Sequence, residues 1–170
     1  MYDNILYPTD GSEAAESVLE HVRTLANTYD ATVHVLYVVT PDSGEASLTL
    51  DKDAQGNWRT GMFKRKGEPA NTSGMAKGSV DVNEVLRAEG EGYTQAIAEE
   101  LEDDGCKTVS ACLEGKPATE IIAYAEENDI DMITMGTHGR SGVEHAFLGS
   151  VTEKVVRKSE TPVLTIRQNE

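Results

Sequence analysis

An α/β domain built on an open parallel sheet is the fold the sequence predicts, and three observations predict it. Short β-branched runs alternate with amphipathic stretches along most of the chain, the pattern of successive βαβ units. The run from Thr32 to Val39 is almost continuously apolar, as a central strand covered on both faces must be. The 170 residues suit a single domain, 1–170, with enough chain to bury a sizeable core.

The elements follow in order. Asn4-Ile5-Leu6-Tyr7-Pro8 reads as the first strand and ends in the turn Thr9-Asp10-Gly11. Val18, Leu19, Val22, Leu25, Ala26 and Tyr29 then recur at helical spacing, and Asp10 with Glu13 three residues later predicts a capping box at the helix start. Thr32 to Val39 is the second strand. Residues 40–80 break the rhythm. They are rich in Gly, Ser, Asn, Thr and Lys without sustained periodicity, so a long loop insertion is expected there, and loops this long are usually functional or mobile. Helical spacing returns at Val82 and continues through Val85, Leu86, Tyr93, Ile97 and Leu101 to Asp103-Asp104-Gly105. Gly90 and Gly92 inside that stretch argue against one unbroken helix. Lys107 to Leu113 is the third strand. Pro117 stands where a helix begins, with Ile121, Ile122 and Ala125 as its buried stripe. Ile130 to Met135 is the fourth strand and runs into Gly136. Val151, Val155 and Val156 mark a last helix, and Thr161 to Ile166 closes the chain as the fifth strand.

Composition narrows the function. Thirty acidic against fifteen basic residues give a net charge of −15, and such a surface repels nucleic acid and anionic lipid. It fits a protein kept soluble in concentrated salt, where screening weakens self-repulsion, and a haloarchaeal source is the expectation. Residues 40–80 hold six Lys/Arg and five Asp/Glu, net +1, which leaves −16 for the rest. Within them Lys64-Arg65-Lys66 reads as a solvated loop tip, or as a cluster that meets a triphosphate or an acidic partner. No run approaches the roughly 18 apolar residues of a membrane span. Met1-Tyr2-Asp3-Asn4 lacks the basic stretch and apolar core of a secretory signal, so a cytoplasmic location is expected. Cys106 and Cys112 lie six apart in one strand, about 20 Å at strand rise, too far for a disulfide. Both are expected to be buried packing residues.

The chemistry is concentrated in residues 136–150. Gly136 and Gly139 are separated by two residues, and nine more precede Gly149-Ser150. Glycines at these places let the backbone turn sharply and bring its N–H groups up to an anion. Gly149-Ser150 then opens a helix whose free N–H groups and positive dipole end attract phosphate, with Ser150 and Glu153 expected to form a capping box. There is no Gly-x-x-x-x-Gly-Lys-Ser/Thr, which excludes a P-loop, and no Gly-x-Gly-x-x-Gly after the first strand, which argues against a dinucleotide-binding unit. His138 and His145 stand near this segment without carboxylate partners at metal spacing. His21 and His34 read as a surface residue and a strand residue.

A glycine pair, nine residues and Gly-Ser at the last helix resembles the nucleotide motif of the universal stress protein family. The similarity extends along nearly the full length. Ile5-Leu6-Tyr7-Pro8-Thr9-Asp10-Gly11-Ser12 resembles the family's first strand and adenosine-side turn, and Met135-Gly136-Thr137-His138-Gly139-Arg140-Ser141-Gly142 its phosphate loop. Gly149 to Val155 resembles its helix start, and Pro162-Val163-Leu164 its closing strand. Residues 40–80 depart from it, being longer and more polar than the family's pattern. The resemblance implies five parallel strands in the order 3-2-1-4-5 with helices on both faces, a Rossmann-like, adenine nucleotide alpha hydrolase-like sheet. It places ligand beyond strands one and four, where the winding reverses.

The resemblance also assigns roles. Asp10 would meet the ribose or help hold Mg²⁺ or Mn²⁺ near the phosphates, or else cap the first helix as an Asx turn. Pro8 and Thr9 would shape the adenosine pocket. Val38 or Val39 would offer main-chain contacts to adenine, or serve only as core. Met135, Gly136, Gly139, Gly149 and Ser150 would cradle phosphate, Val151 and Thr152 would add N–H groups or a hydroxyl, and Arg140 would neutralise charge or face solvent. The ligand would be ATP, with ADP and AMP left open. The implied function is a stress-response regulator that holds ATP and is at most a weak ATPase, since no general base stands ready to activate water. The alternative is a nucleotide-free interaction module on the same fold. A homodimer through the last strand is implied as well.

Overall fold

The computed structural model describes residues 2–41, 49–52, 58–61, 82–137 and 148–167. The chain runs β1 (Asn4–Thr9), α1 (Glu13–Glu16), α2 (Leu19–Tyr29), β2 (Thr32–Val39), β3 (Thr49–Lys52), β4 (Trp58–Gly61) and α3 (Val82–Asp103). It continues through β5 (Lys107–Glu114), α4 (Pro117–Glu127), β6 (Met132–Gly136), α5 (Ser150–Lys158) and β7 (Val163–Ile166). Five strands form one parallel sheet in the order β5-β2-β1-β6-β7, which is the expected 3-2-1-4-5. The Rossmann-like architecture follows.

Period-two alternation divides the core between the sheet's faces. Leu6, Leu36, Ile133 and Met135 pack with Ile121, Tyr124 and Ala125 of α4 and Val155 of α5. Tyr7, Val33 and Val35 pack with Val22 and Ala26 of α2 and Ile97 and Leu101 of α3. Each fully buried aliphatic side chain here contributes about 1.5–3 kcal/mol. The central position of β1 is explained by its buried run Ile5-Leu6-Tyr7, which is covered on both sides.

Four expectations are corrected. The first helical stretch is stepped at Ser17-Val18 into α1 and α2. The Ala15 carbonyl accepts the buried Tyr7 hydroxyl at 2.7 Å and the Val18 N–H at 3.1 Å, which diverts it from the regular i→i+4 ladder. In the opposite sense, α3 is unbroken through both glycines. A Cβ on Gly90 would stand 2.7 Å from Tyr37 Cδ1 and 2.8 Å from Cys112 Sγ, so glycine is what lets α3 lie against the sheet. That packing outweighs the ~1 kcal/mol propensity deficit of each glycine. Only Cys106 is buried; Cys112, on the outer strand β5 under α3, is half-buried, and both thiols are free. Within the segment expected as a loop, β3 and β4 pair antiparallel from Thr49↔Gly61 to Lys52↔Trp58, and residues 42–48, 53–57 and 62–81 lie outside the described residues.

His34 is buried on β2, its Nδ1 3.0 Å from the Tyr124 hydroxyl of α4. Burial lowers its pKa from the ordinary 6.5. The unfolded chain therefore holds the extra proton between the two values, and stability falls as pH drops below 6.5, levelling once the folded value is passed. One proton bounds that slope at about 1.4 kcal/mol per pH unit. Urea unfolding of the wild type and of His34→Gln between pH 7 and 5 is expected to show this added slope only in the wild type.

Candidate functional site

β1 and β6 are neighbours whose following segments leave toward opposite faces: β1 leads to α2 on one, β6 to α5 on the other. That divergence opens a crevice beyond the carboxyl ends of the strands. A cavity of about 440 Å³ lies there, within the range of small-molecule sites.

The structure brings the sequence-predicted residues together around it. Pro8, Thr9 and Asp10 come from the end of β1, Val38 and Val39 from the end of β2, and Met135 and Gly136 from the end of β6. Gly149, Ser150, Val151 and Thr152 come from the start of α5. Gly139, Arg140, His138, His145 and the cluster Lys64-Arg65-Lys66 lie outside the described residues. Seven lining residues were not anticipated. Leu36, Tyr37 and Thr40 flank the named valines, and Pro117 follows β5, so position along the strands could have suggested them. Ala15, Ile121 and Leu86 sit on helices and carry no local signal of a cavity wall.

The turn after β1 is braced by its own side chains. Gly11 takes φ +73°, which favours glycine, and its N–H donates to Thr9 Oγ1 at 3.2 Å. The Ser12 N–H donates to Asp10 Oδ1 at 3.0 Å, an Asx turn. The Ala15 N–H donates to Ser12 Oγ at 3.2 Å, so Ser12, not Asp10, caps α1. The sequence pattern placed the cap two residues early because aspartate and serine serve equally well in that role.

The helix start is corrected too. Gly149 (φ −62°, ψ 155°) holds the cap position, no side chain caps the helix, and Ser150 is its first helical residue. The Gly149 carbonyl accepts the Glu153 N–H at 2.8 Å, while its own N–H donates to Thr137 O at 2.7 Å. The expected capping box is therefore absent. Ser150, Val151 and Thr152 retain N–H groups without intrahelical acceptors, at the positive end of α5 that borders the cavity. The buried Thr152 hydroxyl is committed, donating to Gly136 O at 3.0 Å. It ties α5 to the end of β6 and leaves only the N–H of Thr152 for a ligand.

Strand alternation separates the two valines. The Val39 carbonyl accepts the Gly115 N–H at 2.9 Å, so the main chain of Val39 faces β5. Its neighbour Val38 faces the other way, toward β1. The β1 pairing ends at Thr9↔Tyr37, one residue short of Val38. The carbonyl edge of Val38 thus runs past the end of β1 beside the cavity.

Electrostatically the site is sparse. Asp10 is the one carboxylate among the described lining residues, set against a largely apolar wall that includes Leu36, Leu86 and Ile121. No group of three or more His, Cys, Asp or Glu among the described residues is arranged to hold a metal ion. A hard divalent cation would need oxygen ligands from elsewhere in addition to Asp10, and a polyphosphate supplies them. No helix among the described residues is long and apolar enough to cross a membrane.

The sequence pattern of the Universal stress protein family matches residues 1–167. Universal stress protein MJ0577 of Methanocaldococcus jannaschii is 34% identical, the match covering 99% of this chain and 96% of that protein. The solved structure of MJ0577 superposes with a TM-score of 0.74 at 31% identity, covering 100% of this chain and 99% of the other. The universal stress protein of Archaeoglobus fulgidus, solved in complex with dAMP, shares the fold at a TM-score of 0.59 and 16% identity, over 98% of each chain.

Proposed function

The chain belongs to the universal stress protein family, and from that premise we propose that it is a stress-response regulator that binds an adenine nucleotide, ATP first, in the cavity between β1, β2, β6 and α5. One observation carries this reading. Every described residue that the sequence motifs assigned to nucleotide, eleven in all, lines one cavity at the switch point.

The chemistry is complementary part by part. The Val38 edge offers a main-chain acceptor to the amino group of adenine. The apolar wall excludes water from the base, and Pro8 and Thr9 border the sugar. The free N–H groups of Ser150, Val151 and Thr152 meet phosphate oxygens at the positive end of α5. Asp10 contacts the ribose or shares Mg²⁺ or Mn²⁺ with the phosphates; the ion, when bound, neutralises phosphate charge. The Asp10 carboxylate also accepts the Ser12 N–H in its own turn, and in this reading the protein holds ATP and is at most a weak ATPase. The Archaeoglobus fulgidus protein that shares this fold is itself solved in complex with dAMP.

The proposal extends to a homodimer in the cytoplasm. β7 is an outermost strand of the sheet, with Leu164 37% exposed on it and Val156 exposed on the adjoining α5. Unpaired apolar edges of this kind invite a partner strand.

Calorimetric titration of the purified protein with ATP, with and without Mg²⁺, tests the proposal. Stoichiometric binding that tightens with the metal is expected. Absence of heat, together with no nucleotide released on denaturation, would leave the interaction-module alternative. Sedimentation of the same sample reads the dimer, and monomer alone at micromolar concentration removes it.

A further inference from the structure

We propose that the outer edge of β5 is a docking site for a basic, extended segment of another protein, which joins the five-stranded sheet as an additional strand. The site lies at the opposite end of the sheet from β7 and does not depend on the nucleotide reading.

β5 pairs with β2 along one side over its whole length, from Thr32↔Lys107 to Val39↔Glu114. No strand among the described residues pairs with its other side. The Gly115 N–H donates to Val39 O, so alternation turns the main chain of Val109, Ala111 and Leu113 toward β2. The N–H and C=O groups of Thr108, Ser110, Cys112 and Glu114 therefore face outward. Exposed edges are usually blunted by a charge, a proline or a bulge within the strand. Here six uncharged residues, Thr108 to Leu113, run in unbroken register between Lys107 and Glu114. Ser110 is exposed in the middle of this run, and Val109 beside it is 41% exposed.

The two flanks of the edge differ, and together they select what can bind. On the α4 face, Ala111 and Leu113 are only partly buried against the core, and Val109 extends their row. On the other face α3 borders the strand. Glu102 Oε1 accepts the Thr108 hydroxyl at 2.5 Å, Gln95 Oε1 accepts the Ser110 hydroxyl at 3.2 Å, and the Cys112 thiol donates to Arg87 O at 3.8 Å. These contacts set one exposed row of α3 along the edge: Arg87, Glu91, Gln95, Glu99 and Glu102. Arg87, the one cation in that row, is bridged to Glu91 at 2.9 Å. A strand added here presents alternate side chains to an acidic row and the rest to an apolar one. Lysine or arginine alternating with aliphatic residues satisfies both. A second copy of this chain fits less well. Antiparallel pairing of two β5 strands about a two-fold axis keeps both α3 helices on one face, and so opposes two acidic rows in a chain of net charge −15.

The test uses the full chain and a capped synthetic peptide of alternating lysine and valine, about eight residues long to span a strand. On saturation with peptide, exchange of the Ser110 and Cys112 amide hydrogens is expected to slow at least about ten-fold, while Val109 and Ala111, already turned to β2, keep their rates. Replacing the lysines of the peptide with glutamate is expected to lower affinity at least about ten-fold, and the double variant Glu99→Lys, Glu102→Lys to reverse that preference. Ser110→Pro removes an outward N–H and no bond to β2, so the fold tolerates it, and peptide affinity is expected to fall about ten-fold or more. If Ser110→Pro fails to fold, the charge-reversal variant decides alone. Unchanged Ser110 and Cys112 exchange, or equal affinity for the two peptides, overturns the proposal. So does protection of these amides that rises with protein concentration in the absence of peptide, which gives the edge to a second copy.

Discussion

Replacing Gly90 with alanine is expected to destabilise the protein by about 1–2 kcal/mol, while the same change two residues on, at Gly92, stabilises it by up to about 1 kcal/mol. Both glycines lie inside α3, so the gain in helix propensity is common to the pair. The difference is in what the new methyl group meets. At Gly90 it would stand 2.7 Å from Tyr37 Cδ1 and 2.8 Å from Cys112 Sγ, and at Gly92 nothing lies within 4 Å. Contacts near 2.7 Å are about 1 Å inside the preferred carbon–carbon separation, so either α3 lifts from the sheet or the Tyr37 ring turns. Overpacking of this kind typically costs about 1–3 kcal/mol, more than the propensity returns. Denaturant midpoints of the two variants, compared with the wild type at equal slope, check the opposite signs. Tyr37 is also a wall of the cavity, so Gly90→Ala should weaken ATP binding in the same protein that shows the lower midpoint, and Gly92→Ala should leave binding intact.

Ser150→Glu is expected to abolish useful nucleotide binding, by 100-fold or more, in a protein at least as stable as the wild type. Ser150 is the exposed first residue of α5, it caps nothing, and it borders the cavity. A carboxylate in the first turn is favoured by the helix dipole by roughly 0.3–1 kcal/mol. The same carboxylate faces the proposed phosphates. At a separation of ~5 Å and an effective dielectric constant of ~20, each pair of like charges is opposed by about 3 kcal/mol. A hundredfold loss needs about 2.7 kcal/mol, so one such pair is enough. Ser150→Gln, of similar size and no charge, should bind within a few-fold of the wild type. Thermal unfolding and ATP titration of the two variants separate the effects: a stable Ser150→Glu that still binds ATP tightly would mean that the phosphates do not lie at this helix end.

The parts of the fold that were legible in the sequence are those written in short-range pattern. The run Thr32–Val39 defined β2 to the residue, because a strand buried on both faces tolerates almost no polar interruption. Of the glycine spacing at 136–150, the two described glycines, Gly136 and Gly149, both border the crevice. The strand order came from family resemblance; periodicity alone does not encode which strands are neighbours. What escaped depends on contacts between distant residues. Nothing near Ser17 reveals that the Tyr7 hydroxyl takes the Ala15 carbonyl and steps the helix there. Gly90 and Gly92 look alike in sequence, and it is the Tyr37 ring and the Cys112 thiol across the interface that make one of them a packing requirement. Leu86 and Ile121 are ordinary helix residues until the fold turns them toward the cavity. The cap positions were misplaced by one or two residues because Asp, Ser and Gly all satisfy helix starts, and backbone geometry chooses among them.

The end of β2 has a consequence for how this protein can change over time. Val38 turns its main chain, not its side chain, to the open space beyond β1, and α5 likewise offers backbone N–H groups. Polar groups supplied by peptide units survive almost any substitution at their own positions. A nucleotide held by these peptide groups would keep those contacts through neutral substitutions at their own positions. The vulnerability is transferred to register: a single insertion within β2 would exchange the facing of Val38 and Val39 and erase the acceptor at one stroke.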